Sequence, residues 1–144
     1  MIPVGLIFTS EIIGKEIIGE TSKGIFGLLT GINEFNIPYI NTILEELDIY
    51  KIVEIVESLF TKANDEHHTL ELIPAQLLAY KNLHEINIKI KDELEVLKTN
   101  IELSKDYWFK SFRTPPYHEN LENLKRYKKI LDSRLDLVFR LQNC

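Results

Sequence analysis

The sequence lacks most of what fixes a fold or a function by covalent or metal chemistry. Its single cysteine, Cys144, is the last of 144 residues, so no internal disulfide forms and a reducing, intracellular, cytoplasmic setting is expected. No nucleophile, metal or phosphate-loop motif is present, which leaves an enzyme as the least favoured class and predicts no catalytic residue, no metal site and no cofactor. No uncharged run reaches the roughly 18 residues that crossing a bilayer requires. The opening MIPVGLIF has no basic flank and is soon followed by Glu11, Lys15, Glu16 and Glu20, so neither a signal peptide nor a spanning helix is expected. A net charge of -5 argues against nucleic-acid binding. Glycine is absent after Gly31, and there are five prolines: Pro3, Pro38, Pro74, Pro115 and Pro116.

What is present is helical patterning. Hydrophobic residues make up 44% and charged residues 27%, enough for one globular domain, residues 1–144, with its own core. The organising stretch runs from Pro74 to Phe112, where Leu77, Tyr80, Leu83, Ile90, Leu94, Leu97, Ile101 and Trp108 fall mostly three or four apart with charges between them. A helix from Pro74 to Trp108 would extend roughly 50 Å and needs partners of similar length. Each proline site precedes a helical pattern, where its missing N–H costs nothing. The fold class predicted is all-α, a four-helix bundle with helices at about 4–32, 38–62, 74–109 and 116–142; the alternative is a three-helix core with an N-terminal arm. The last two helices should form an antiparallel hairpin through their short Pro-containing turn.

The first unit holds every glycine of the chain, and each interior glycine costs roughly 1 kcal/mol of helix propensity. This helix should be the least stable by itself, with a break at Gly19 to Ser22 considered. Close packing through small residues is one reading; a segment able to leave the bundle is the other. The second unit has a wide apolar face, and Glu45, Glu46, Asp48, Glu54 and Glu57 cover its other side as a solvated surface. Asp65, Glu66, His67, His68 and Glu71 match no ligand signature and read as a polar connection; His84 and His118 stand alone.

Charge is unevenly spread. Residues 105–144 carry nine Lys or Arg against five Asp or Glu, and residues 1–104 carry eight against seventeen. In KDYWFKSFR, Tyr107, Trp108, Phe109 and Phe112 interleave with Lys105, Lys110 and Arg113, which suits either a core plug or a membrane interface.

The long helix ending in a basic residue and Trp-Phe, the short polar turn with Tyr117, and the final LENLKRYKKILDSRLDLVFRLQ together resemble the N-terminal four-helix bundle of the mixed lineage kinase domain-like pseudokinases. They are also similar to HeLo-type cell-death bundles. The sharper likeness covers residues 77–142. The resemblance implies a necroptosis-like, cell-death signalling bundle that oligomerises, is recruited to the plasma membrane and engages anionic lipid. Carried over by position, Lys105, Lys110, Arg113, Lys125, Arg126, Lys128 and Lys129 would contact lipid. Ile12, Ile13, Ile17, Ile18, Phe26, Leu28 and Leu29 would form the membrane-inserting face. The negative net charge and the absence of a kinase-like domain depart from that pattern. The rival expectation is a soluble helical adaptor or inhibitor that binds a protein partner through the first helix or the basic face.

Overall fold

The computed structural model describes residues 13–66, 72–107 and 117–142, without the side chains of residues 66 and 105–107. It is an all-α bundle, as the patterning predicts, built from α1 (Lys15–Asn33), α2 (Pro38–Leu47), α3 (Ile49–Glu66), α4 (Pro74–Tyr107) and α5 (His118–Gln142). Pro38 and Pro74 are each the first residue of a helix, as expected. The expected first helix starts later, at Lys15, with Gly14 extended (φ -63°, ψ 148°) before it; residues 4–12, 108, 109 and 116 lie outside the described residues, and Tyr117 lies just outside α5.

Two expectations need correction. The second unit is not one helix: Asp48 adopts the left-handed conformation (φ 54°, ψ 38°) and ends α2, its N–H donating to the carbonyls of Glu45 and Leu44. Aspartate tolerates this conformation better than most residues. The considered break near Gly19 to Ser22 is absent, and α1 continues through it. There the Thr21 hydroxyl donates to the Ile17 carbonyl (3.1 Å) while Ser22 turns inward, so neither side chain caps a new helix start.

Cross-contacts set the helix directions. Asn100 Nδ2 donates to Asn120 Oδ1 (2.7 Å) at one end of the α4–α5 pair and Gln142 Nε2 donates to the Tyr80 hydroxyl (2.8 Å) at the other, so this is the expected antiparallel hairpin. Between them, Glu93 Oε1 accepts from Asn120 and Asn123, and Arg134 donates to the Asn82 carbonyl. The α1–α3 pair is also antiparallel: Asn64 donates to the Ile13 carbonyl (3.1 Å), and Phe26 packs on Tyr50 at the opposite end. By contrast α1 runs parallel to α4, with Gly24 beside Lys91 and Gly31 beside Lys98.

The most extensive packing is α4 on α5; α1 lies against both α3 and α4, and α2 touches α5. Consecutive α3 and α4 therefore stand diagonally and meet through the core, where the Phe60 ring lies edge-on to Tyr80 at 5.1 Å. The predicted stripe of α4 is buried throughout its described length, with Leu83, Ile90, Leu94, Leu97 and Ile101 all fully enclosed. On α1, Ile18, Ile25 and Ile32 repeat every seven residues and are likewise enclosed.

Glycine has a packing role at two sites of α1. A Cβ at Gly24 would lie 2.5 Å from Lys91 Cε, and one at Gly31 would lie 3.1 Å from Lys98 Nζ, so the lysine stems run across the helix where side chains are missing. Gly27 has nothing within 4 Å of its would-be Cβ and no positive φ. Gly27→Ala should therefore stabilise the protein by about 1 kcal/mol, measured by urea unfolding. A loss of stability would mean that the α1 backbone needs glycine there. Gly24→Ala should gain less, because Lys91 must move.

Candidate functional site

Helix α5 presents the expected basic residues, but its own carboxylates take up much of their charge. Lys125 Nζ pairs with Glu122 at 3.1 Å, an interaction that raises the lysine pKa, and Lys128 Nζ pairs with Asp132 at 3.0 Å. Arg126 donates to Asn123 Oδ1 and lies over the Tyr127 ring, and Lys129 is exposed. These spacings of three and four were visible in the sequence, where only the cations were singled out. Lys110 and Arg113 lie outside the described residues, as does the Lys105 side chain.

The apolar residues proposed for insertion are divided between core and surface. Ile18 is 1% exposed; Ile13, Phe26, Leu28 and Leu29 are half-buried and packed against the core; Ile17 is 54% exposed. Ile12 lies outside the described residues. In the assembled bundle this set does not form one outward face. Presenting it to a membrane requires α1 to leave.

The inner faces of α1 and α4 also carry buried polar groups. Ser22, His84 and Asn87 are buried, and Ser22 Oγ, His84 Nδ1 and Asn87 Oδ1 each lack a hydrogen-bond partner. The imidazole of His84 faces the Phe60 ring at 6.4 Å, and burial pushes its pKa below the ordinary histidine value, with Glu85 opposing. A buried polar group without a partner costs about 1–3 kcal/mol. The available signal was positional: Ser22 lies four residues from Ile18, and Asn87 lies four from Leu83, both at core spacing.

A third feature lies between α1 and the α2–α3 unit. Phe26 and Tyr50 stack with ring centroids 4.3 Å apart, and an open groove flanks the pair on each side, of about 380 Å³ and 490 Å³. Leu29, Leu44 and Tyr50 line the first together with Glu45 and Asp48; Phe26 lines the second together with Glu54 and Glu57. Asp65, at the far end, pairs with Lys15 at 3.0 Å.

Among the described residues no helix is long and apolar enough to cross a membrane, and no group of side chains is arranged to hold a metal ion. Comparison with known proteins finds no matching family model, no matching curated protein and no matching solved structure.

Proposed function

We propose that the chain is a non-enzymatic helical bundle that acts by opening: α1 leaves the bundle, copies associate, and the released apolar face engages an anionic membrane surface. The observation that carries this reading is on the inner face of α1, where Ser22 is buried and its Oγ has no hydrogen-bond partner. That unmade hydrogen bond lowers the cost of separating α1, and the glycines of α1 weaken the helix further. On release, Ile18 and Ile25 would join Ile17 as apolar surface. Arg126 and Lys129 remain exposed on α5, and each basic residue near an anionic surface contributes about 1 kcal/mol.

Dye release from anionic and neutral vesicles tests the reading, together with a clamp holding α1 to α4. Lys91 Cγ, which occupies the position of a cysteine Sγ, lies 3.7 Å from the Cβ that a side chain at Gly24 would have. A Gly24→Cys/Lys91→Cys pair, in a Cys144→Ser background, is therefore close to disulfide geometry. Leakage should be confined to anionic vesicles, rise steeply with protein concentration, disappear in the oxidised clamp and return on reduction. Leakage that persists in the oxidised clamp would refute release of α1; absence of both vesicle binding and leakage would refute membrane action.

The second reading is a helical adaptor or inhibitor that binds a protein partner. It is favoured by the pairing of Lys125 and Lys128 with carboxylates of their own helix, which leaves less positive charge for lipid.

A further inference from the structure

We propose that the crevice between α1 and the α2–α3 unit is a docking site for a cationic amphipathic helix of a protein partner, seated across the Phe26–Tyr50 step. The inference rests on the adaptor reading and does not require membrane activity. Its first support is shape. The two grooves follow one seam, with Tyr50 half-exposed at its centre. From Asp48 to Asp65 the α3 side of this seam measures roughly 25 Å at 1.5 Å per residue, the length of a helix of about 16 residues. Apolar anchors from such a helix would pack beside the ring pair and against Leu29 and Leu44, the usual helix-in-groove arrangement.

Charge decides the chemistry of the occupant. Residues 34–66 contain eight Asp or Glu and two Lys or Arg. Glu45, Asp48, Glu54, Glu57 and Asp65 line the grooves against a single lysine, Lys62, and none of the first four has a cation within ion-pair distance among the described residues. Unpaired carboxylates beside an apolar floor favour lysine or arginine on the flanks of the incoming helix and repel an anionic headgroup. A partner with one apolar stripe bordered by cations satisfies both halves of the surface.

The test uses the full chain and two labelled 16-residue probes that share one leucine stripe, one carrying lysine and the other glutamate at the remaining positions. Fluorescence anisotropy should show binding of the lysine probe, several-fold weaker at high salt, with the glutamate probe at least about tenfold weaker. Glu54→Lys/Glu57→Lys should weaken the lysine probe by about tenfold or more, whereas Glu95→Lys/Glu102→Lys on the outer face of α4 should leave it within about twofold. Circular dichroism confirms that both variants remain folded. Equal losses in the two variants would reduce the effect to net charge and overturn the proposal. Lysine-probe binding that survives Glu54→Lys/Glu57→Lys would overturn the crevice while leaving the adaptor reading standing. Vesicle leakage without probe binding would sink the adaptor reading itself. Sedimentation showing a dimer that dissociates in Glu54→Lys/Glu57→Lys would assign the crevice to a second copy of the chain and overturn the proposal.

Discussion

Replacing Phe60 by alanine should remove about 3–5 kcal/mol of stability. The side chain is fully buried and stands where the diagonal helices α3 and α4 meet, against Tyr80 and His84. Its removal deletes an apolar contact and two edge-to-face ring contacts at once, and the gap borders helices that cannot all close inward together. Domains are typically stable by only 5–15 kcal/mol, so the loss is a large share of the total and should lower Tm by on the order of 10 °C. Urea unfolding of wild type and variant supplies the number. A cost below about 1.5 kcal/mol would mean that the layer around Phe60 collapses freely and does not join α3 to α4.

The second large effect should appear on acidification. Burial lowers the folded-state pKa of His84, while in the unfolded chain the imidazole titrates near its ordinary value of 6.5. Above that value the group is neutral in both states and adds no pH dependence. As pH falls below about 6.5 the unfolded chain takes up a proton that the folded core resists, so stability must decline. The limiting slope for one proton is about 1.4 kcal/mol per pH unit. The core supplies no compensating partner: Nδ1 is unpaired, Phe60 offers a ring, and Glu85, on the same helix, is the one charged group that shifts it upward. His84→Leu should therefore flatten the decline between pH 7 and 5. Parallel declines in wild type and variant would mean that the sensitivity does not arise at His84. The same substitution removes an unpaired buried atom, so at pH 7 the variant should be no less stable than wild type.

The fold was largely legible in the sequence because helical periodicity and proline position are local signals. The α4 stripe from Leu77 to Ile101 could be read directly, and Pro38 and Pro74 marked their helix starts to the residue. The split at Asp48 was not legible. The apolar spacing continues from Leu44 and Leu47 into Ile52 and Ile55, and the left-handed turn between them uses an aspartate in place of the glycine that would have announced it. Nor could periodicity reveal which helices are neighbours. The parallel contact of α1 with α4 depends on lysine stems crossing Gly24 and Gly31, a relation between residues 67 positions apart.

The candidate site was legible as composition and much less so as geometry. A count of cations singles out Lys125 and Lys128, but whether they act outward depends on Glu122 and Asp132 one turn away. The acidic side of the second unit looked like an ordinary solvated face. Only the placement of Phe26 beside Tyr50 turns part of that face into a crevice with an apolar floor. Ser22 and Asn87 occupied core spacing without a hydrophobic side chain, and their unpaired atoms become visible only once the helices are assembled.

The crevice has walls from two structural units: Leu29, Thr30 and Asn33 of α1 face Leu44 and Tyr50 across the first groove. Its geometry exists only while α1 is in place. Any molecule that seats there selects the assembled form and must oppose departure of α1 by the free energy of its own occupancy. Reciprocally, whatever pulls α1 away lowers that molecule's affinity by the same factor. If α1 leaves the bundle as proposed, occupancy of the crevice and that release form one thermodynamic balance, with the occupant acting as a brake.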